Sequence, residues 1–284
     1  MAVVSTGFFD GVHLGHRHVI ETLVSSARER GEESVVITFA QHPRAVLQQD
    51  ATTLRLLTSR YEKKEMIAAL GVDRIVELQF TRQFAALSAG EYLDLLRRDY
   101  ACSTVVIGYD TRMGCDMCGA DAIQALAAAR GMEVVRCEAC GTVSSTRIRK
   151  ALSEGRVEDA SAMLGYDYSI SGVVVPGKHL GRTIGFPTAN LRLADPLKMI
   201  PAKGVYLTRT EVLGKVYDSM TNVGDIVETN IFGFGDDIYS LGIRVSFVRR
   251  LREMKRMGSL EELRAQLAED RARCLEMIAA ADSK

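Results

Sequence analysis

Directly after the apolar pair Val3-Val4, the chain reads Gly7-Phe8-Phe9-Asp10-Gly11-Val12-His13-Leu14-Gly15-His16. This stretch is a glycine-broken turn between a predicted strand and a predicted helix. A helix start presents unpaired backbone N–H groups, which together with the helix dipole favour an anion. The imidazoles of His13 and His16 add two further polar groups at that point. The stretch therefore predicts an α/β fold with a phosphate site at the end of its first strand.

Apolar runs of the same kind recur through the first half of the chain, separated by stretches with helical spacing. This alternation predicts a Rossmann-like domain, in which crossover helices connect the strands of a parallel sheet. The pairs Ser59…Glu62 and Ser88…Glu91 predict capping boxes at two helix starts. The runs are Val3-Val4, Val35-Val36-Ile37, Ile75-Val76, Val105-Val106-Ile107 and Val134-Val135.

The pattern changes in the second half. The stretch from Arg149 to Leu164 has a helical pattern, and from Tyr168 onward short runs with period-two alternation predict a mainly antiparallel β-barrel. A capping box at Ser259…Glu262 predicts a C-terminal helix with one apolar stripe. We therefore expect one domain over residues 1–166 and a second over residues 167–284. The alternating residues are Val205, Leu207, Ile243, Val245 and Phe247, and the stripe is Leu260, Leu263, Leu267, Cys274 and Ile278.

The composition is that of a globular protein. Of the 284 residues, 47% are hydrophobic and 25% are charged, and the formal net charge is zero. A chain without basic excess has no long-range attraction to nucleic acid or to an anionic membrane. It contains no apolar run of membrane-spanning length and no basic segment followed by an apolar leader. We expect a cytoplasmic enzyme with no nucleic-acid or membrane partner, and the sequence makes no prediction of the oligomeric state.

A second candidate phosphate site lies at Val143-Ser144-Ser145-Thr146-Arg147-Ile148-Arg149. It combines hydroxyls at a helix start with a guanidinium that can grip phosphate in two places. Taken alone, it is equally an N-cap followed by a solvated arginine. Two further segments, Thr38 to Pro43 and Gly108 to Asp110, follow the second and fourth predicted strands. Ligands of parallel sheets gather at the carboxyl ends of the strands.

In this order, the four segments resemble the N-terminal FMN adenylyltransferase domain of the bacterial bifunctional riboflavin kinase/FAD synthetase family. The span from His13 to His16 matches the His-x-Gly-His element of nucleotidyltransferases. The resemblance implies that both histidines contact ATP phosphates and that Arg147 holds the triphosphate. The residues that it implies in nucleotide and flavin binding are Gly7, Phe9, Asp10, Gly15, His42, Gly108, Asp110, Ser144, Ser145 and Thr146.

Some positions depart from the pattern of this family. Phe8 stands where the family often has asparagine, and Ala40-Gln41 replaces the usual Pro-x before His42. Thr111 and Met113 replace aromatic residues. The flavin side of this cleft therefore matches the family less closely than the ATP side.

The most specific string of the second half is Gly181-Arg182-Thr183-Ile184-Gly185-Phe186-Pro187-Thr188-Ala189-Asn190. Its proline fixes a turn, and Thr188 and Asn190 present hard oxygen ligands that suit Mg²⁺ on ATP phosphates. As an alternative, both side chains bond their own backbone in a structural turn. The string resembles the Pro-Thr-Ala-Asn element of riboflavin kinases, and the segment from Gly177 to Arg182 resembles the flap of that family.

The resemblance implies that Thr188 and Asn190 bind Mg²⁺ and ATP, with Gly181 and Asn222 at the same site. It also implies that Glu228 is the general base on the riboflavin 5′-hydroxyl, because a carboxylate within reach can accept that proton. The alternative for Glu228 is an outward-facing strand residue. Between Gly224 and Glu228 the chain has three residues, where the family normally carries a longer loop with an Arg-Pro-Thr element.

The function that the resemblance implies is bifunctional flavin cofactor synthesis. The barrel would phosphorylate riboflavin to FMN with ATP, and the N-terminal domain would transfer AMP from a second ATP to FMN, giving FAD and pyrophosphate. Mg²⁺ is implied at both sites. Two alternatives stay open: a single-activity FMN adenylyltransferase with a degenerate kinase barrel, and a non-catalytic flavin- or nucleotide-binding regulator.

Two CxxC pairs allow a further hypothesis. Cys115, Cys118, Cys137 and Cys140 have a spacing typical of a tetrahedral thiolate zinc site. The family resemblance implies no zinc, and Cys137 follows a predicted buried strand. Independent reduced thiols are the alternative to a structural zinc ion.

Overall fold

The computed structural model describes residues 1–47, 53–177 and 180–282. The chain divides into two compact units, Met1–Ser145 and Thr146–Lys284. The domain boundary that the sequence places after residue 166 stays a prediction.

The first unit contains a five-stranded parallel sheet in the order β3-β2-β1-β4-β5. Each of the five predicted apolar runs lies in one of its strands, so the prediction of a parallel sheet is confirmed. The strand order reverses between β1 and β4, which makes their carboxyl ends the point where ligands of such sheets bind. The strands are β1 (Ala2–Thr6), β2 (Glu33–Phe39), β3 (Arg74–Leu78), β4 (Cys102–Ile107) and β5 (Glu133–Arg136).

Helices cover both faces of this sheet. Alternate residues of β1 face opposite sides: Val4 packs in a cluster with α5 and α6, and Val3 packs in a cluster with α1 and α3. The two predicted capping boxes, at Ser59 and Ser88, are both formed. The helices are α1 (Leu14–Arg30), α2 (Pro43–Leu47), α3 (Arg60–Ala68), α4 (Arg82–Ala85), α5 (Ala89–Tyr100) and α6 (Ala120–Ala128).

The second unit is built on a closed antiparallel barrel with the strand order β10-β7-β6-β11-β8-β9. This confirms the predicted barrel and its C-terminal helix. The strands are β6 (Ser169–Val175), β7 (Ala189–Leu193), β8 (Gly204–Val212), β9 (Lys215–Val223), β10 (Val227–Ile231) and β11 (Gly242–Arg252). The helices are α7 (Ser145–Ser153), which starts at the last residue of the first unit, α8 (Val157–Leu164), α9 (Leu180–Thr183) and α10 (Leu260–Asp282).

The helical pattern from Arg149 to Leu164 is confirmed, and it forms two helices, α7 and α8. The chain breaks between α7 and α8 at Gly155, whose φ of 74° lies in the left-handed region. A Cβ at this glycine would lie 2.8 Å from Cζ of Arg250, so a side chain here would collide with the barrel strand β11. The break therefore follows from the close packing of this connection on the barrel.

Strands β8 and β9 carry buried hydroxyl side chains on one of their faces. Thr208, Ser219 and Thr221 are completely buried, and their hydroxyls bond to one another at 2.7 to 2.8 Å. On the opposite face, Leu207 packs against α10, where Cys274 is fully buried. Buried hydroxyls satisfy one another in this way at little cost.

Candidate active sites

The glycine turn after β1 has a strained backbone. Phe9 and Val12 have φ angles of 54° and 36°, and both side chains are buried. A β-branched residue such as Val12 rarely adopts positive φ, and strain of this kind concentrates at functional sites. Gly7 faces the Phe9 ring, since a Cβ at Gly7 would lie 3.0 Å from Phe9 Cζ. The turn is thus held in one shape by its own side chains.

The two predicted catalytic histidines of this turn lie against each other. His13 caps α1: its Nδ1 accepts a hydrogen bond from the backbone N–H of His16 at 3.3 Å. The two rings stack with centroids 3.6 Å apart and an angle of 15° between their planes. Burial lowers the pKa of His16 well below its usual value, and repulsion from His13 lowers it further. Without a ligand, His16 is therefore neutral, and an arriving anion would favour its protonation.

His16 also carries an atom that the protein leaves unsatisfied. Its Nδ1 is buried and has no hydrogen-bond partner among the residues that the structure describes. Because Nδ1 of His13 accepts a hydrogen bond, the neutral form of that ring carries its proton on Nε2. The Nε2–H of His13 is consequently a donor of fixed tautomer at the start of α1. Gly15 lies beside this ring, since a Cβ there would be 3.4 Å from His13 Nδ1.

Asp10, which was predicted to bind ligand, accepts hydrogen bonds from the protein backbone. Its Oδ1 accepts hydrogen bonds from the N–H groups of Leu57 at 2.9 Å and Thr58 at 3.2 Å. The Thr58 hydroxyl in turn accepts from the N–H of Gly11 at 3.1 Å. These bonds tie the glycine turn to the segment before α3. The geometry indicates that this carboxylate orients the turn.

The hydroxyl-rich helix start reaches the same turn. The Ser145 hydroxyl donates a hydrogen bond of 3.0 Å to the backbone carbonyl of Asp10, and Ser144 directly precedes it. This hydrogen bond supports the prediction that the hydroxyl-rich helix start lies next to the glycine turn. Thr146 and Arg147 follow on α7 within the second unit, and their contact with a triphosphate stays a prediction.

The carboxyl ends of β2 and β4 carry the remaining predicted residues of the first unit. The His42 ring meets the Phe8 ring edge to face, with centroids 4.6 Å apart. Asp110 is exposed just after β4, and its Oδ1 lies 3.7 Å from the position of a Cβ on Gly108. The strand order of the sheet reverses between β1 and β4. Asp110 and Gly108 therefore follow the carboxyl end of a strand at this reversal.

Sequence reasoning missed Lys63 on α3, which is 2% exposed. Its Nζ donates a hydrogen bond of 2.9 Å to the carbonyl of Phe39 and lies 4.0 Å from the centroid of the Phe8 ring. Burial lowers the pKa of this ammonium to about 8. The signal was its position four residues before the buried Ile67, which places Lys63 on the core face of α3.

In the barrel, three predicted residues form one row across adjacent strands. Glu228 on β10 is paired with Asn190 on β7 on one side and with Asn222 on β9 on the other. Directly paired residues of antiparallel strands point to the same face. Gly177 lies beside this row, because a Cβ there would lie 2.0 Å from Asn190 Nδ2. Residues 178 and 179 of the predicted flap lie outside the described residues.

A cavity of about 160 Å³ adjoins this row. Four predicted residues line it together: Gly181, Thr188, Asn222 and Glu228. The wall opposite the strands includes Leu263 and Leu267 of α10. A pocket with an apolar wall and a few convergent polar groups is typical of small-molecule sites.

The short connection before Glu228 forms a tight hairpin. Val223 of β9 pairs with Val227 of β10, and the N–H of Gly224 donates to the carbonyl of Ile226 at 3.2 Å. The hairpin places Glu228 directly opposite Asn222.

A second, larger cavity of about 530 Å³ is also lined by Thr188. Thr188 therefore belongs to the walls of both the 530 Å³ and the 160 Å³ cavities. Sequence reasoning missed Asp236, Asp237 and Tyr239, which line it too. The signal was their position in a glycine-broken loop that follows β10.

The zinc hypothesis finds no support. All four CxxC cysteines are free thiols, and Cys115 is exposed whereas Cys137 is buried. Within residues 1–47, 53–177 and 180–282, no group of three or more His, Cys, Asp or Glu side chains is arranged to hold a metal ion. The two CxxC pairs do not form one site, because Cys137 packs in the hydrophobic core on one face of the sheet.

Each of the two units brings together residues that the sequence predicts to handle phosphate groups. The FAD synthetase family model matches residues 1–151, and the riboflavin kinase family model matches residues 164–278. Bifunctional riboflavin kinase/FMN adenylyltransferases from Bacillus subtilis and Listeria monocytogenes are 33% and 35% identical, over 95% and 94% of this chain and 90% of their own length. The chain belongs to this bifunctional family.

One solved structure is also similar over nearly the whole chain. It is a crystal structure described as a macrolide-efflux protein from Streptococcus pneumoniae, with a TM-score of 0.90 and 32% identity. The match covers 95% of this chain and 92% of that one. Among the helices described for the present chain, none has the length and apolar character needed to cross a membrane.

Proposed function

We propose that the barrel phosphorylates riboflavin to FMN with ATP, and that the first domain transfers AMP from a second ATP to FMN, releasing pyrophosphate. The observation that carries this proposal is the row of Asn190, Glu228 and Asn222 at the cavity. It supports a working kinase site in spite of the shortened hairpin, and so favours two activities over a single adenylyltransferase. The cytoplasmic location stays a prediction.

In the adenylylation step, the histidine pair would donate hydrogen bonds to phosphate oxygens. His16, neutral without ligand, would gain a proton as negative charge approaches, and its positive charge would count most as pyrophosphate leaves. Ser144, Ser145, Thr146 and Arg147 would hold the triphosphate at the start of α7, where backbone N–H groups also point outward. The FMN phosphate is itself the nucleophile, so no covalent bond to the protein is needed.

In the kinase step, Glu228 would accept the proton of the riboflavin 5′-hydroxyl as that oxygen attacks the terminal phosphate of ATP. The ribityl end of riboflavin would enter the smaller cavity, whose volume of about 160 Å³ is less than that of the whole molecule, and ATP would occupy the larger cavity, with Thr188 lining both. Thr188 and Asn190 offer neutral hard oxygens and no carboxylate, which fits a Mg²⁺ ion held mainly by ATP phosphates. When bound, Mg²⁺ would neutralise charge on the phosphates.

The test supplies purified protein with riboflavin, Mg²⁺ and ATP and follows both flavin products. Formation of FMN and then FAD is the expected result. FAD from added FMN alone would favour the single-activity enzyme, and binding without any product would favour the regulator.

Glu228→Gln sharpens this test. We expect it to lower FMN formation by about 10²-fold or more, because it removes the base, and to leave adenylylation of added FMN intact. Glu211→Gln, which alters an exposed glutamate on β8, two strands from β10 in the barrel, is the matched control. Equal loss of both steps in a folded Glu228→Gln protein would contradict the assignment of two sites.

A further inference from the structure

Asn222 holds a polar atom for which the barrel supplies no partner. Its Oδ1 is buried and accepts no hydrogen bond from the residues that the structure describes. Its Nδ2 lies 3.5 Å from Oε2 of Glu228, to which it donates. The same side chain lines the cavity of about 160 Å³. The side chain that carries this oxygen therefore borders the cavity in which Glu228 would act.

The orientation of this amide is set by its neighbour. If the amide were rotated by half a turn, Oδ1 would face the carboxylate of Glu228, and two acceptors would oppose each other. With Nδ2 toward Glu228, Oδ1 stays without a donor, which is unfavourable for a buried carbonyl. A ligand that brings a donor to this position removes that cost, so the vacant acceptor selects for such a ligand.

The reacting hydroxyl of the substrate cannot fill this role. It has one proton, and the proposed reaction passes that proton to Glu228. The Asn222 Oδ1 atom therefore needs a different hydrogen-bond donor from the substrate. This donor must lie close to the reacting hydroxyl, because Asn222 adjoins Glu228. In riboflavin, the nearest candidate is the hydroxyl on the carbon next to the one that is phosphorylated, the 4′-hydroxyl.

We infer that Asn222 determines the specificity of the kinase site for a vicinal diol, because its Oδ1 accepts a hydrogen bond from the 4′-hydroxyl while Glu228 takes the 5′-hydroxyl proton. This inference rests on the proposed kinase function. The two contacts together would fix the end of the ribityl chain, so that the 5′-oxygen faces the terminal phosphate of ATP. An acceptor with an isolated terminal hydroxyl would leave Oδ1 unsatisfied and the chain end loosely oriented.

The test compares kcat/KM for riboflavin and for 4′-deoxyriboflavin. We expect the wild-type protein to prefer riboflavin by at least about 10-fold, as the loss of one buried hydrogen bond requires. Asn222→Leu keeps the approximate size of the side chain and removes the acceptor. Its activity should fall with riboflavin, and its preference between the two substrates should shrink to about 3-fold or less. Glu211→Gln on β8 serves as the control and should keep the wild-type preference.

The outcomes separate this inference from the function on which it rests. A wild-type protein that phosphorylates neither compound would remove the kinase proposal itself. A wild-type protein that phosphorylates both equally well would overturn the role of Asn222, even if no variant folds. A folded Asn222→Leu protein that keeps the full preference would overturn it as well, because a purely structural asparagine would lower both rates in proportion.

Discussion

Lys63 places an ammonium group where little water can reach it. Its Nζ contacts the Phe39 carbonyl at the end of β2 and the Phe8 ring in the glycine turn. Asp10 and Glu77 favour its charged form, whereas Arg60 and, above all, burial oppose it. Since burial wins, the pKa falls to about 8, and the folded protein carries a charge that is poorly solvated at neutral pH.

The sign of the pH dependence follows from this lowered pKa. Between about pH 8 and the higher pKa of an unfolded lysine, the unfolded chain binds more protons at this residue, so the free energy of unfolding rises with pH there. We expect the wild-type protein to gain about 1.4 kcal/mol relative to Lys63→Met from about pH 7 to about pH 9. Urea unfolding of both proteins at the two pH values measures this. A constant difference would show that Lys63 keeps its charge over this range.

Other residues of the site differ in how far the sequence could predict them. Gly7, His13 and His16 form a local pattern, and the contact between the two rings follows from their spacing at a helix start. The role of Asp10 depends on Leu57 and Thr58, which are almost fifty residues away in the chain. No local pattern carries that information, because the fold alone brings the two segments together.

Helix α10 is fixed to the barrel by one buried ion pair. Arg252 at the end of β11 donates to both carboxylate oxygens of Asp270, with Nη2 to Oδ2 at 2.7 Å. The Asp270 side chain is completely buried, and that of Arg252 is 19% exposed. Leu263 and Leu267 on the same helix form a wall of the smaller cavity. The ion pair therefore positions part of the proposed riboflavin pocket.

Asp270→Asn should loosen this helix. An unpaired arginine would remain at a mostly buried position, which costs about 2–3 kcal/mol after allowance for its partial exposure. We expect lower urea stability, faster amide hydrogen exchange in α10 and a raised KM for riboflavin with less change in kcat. The neighbouring Glu269→Gln, which alters an exposed carboxylate on the same helix, is the control. Unchanged exchange in α10 would contradict the anchoring role of the pair.

Among the elements, buried parallel strands were the easiest to predict from sequence. Each is a short run of valine and isoleucine, since both of its faces are covered. The strand β9 gave no such signal, because Ser219 and Thr221 place hydroxyls where an apolar alternation would be expected. The helix break at Gly155 was missed for another reason: glycine alone marks a break only weakly, and the colliding Arg250 is distant in sequence.

At the scale of the whole molecule, two reactions are joined by one compound. FMN is the product of the proposed kinase site and the substrate of the proposed adenylylation site. Each compact unit contains the residues of its own cleft, apart from Thr146 and Arg147, which fall just beyond the division of the chain. Two clefts of this kind can exchange FMN through solution, and damage to one need not damage the other.

This argument predicts complementation between two variants. His16→Ala should lower adenylylation by about 10²-fold, as the loss of one donor to developing charge does, and spare FMN formation; His18→Ala, exposed on the same helix, is its control. Neither His16→Ala nor Glu228→Gln alone should convert riboflavin to FAD efficiently. Their mixture should do so after a lag, because FMN must first accumulate in solution, and added FMN should shorten that lag. If FMN accumulates in the mixture and FAD still fails to form, although Glu228→Gln converts added FMN when alone, the two sites are not independent.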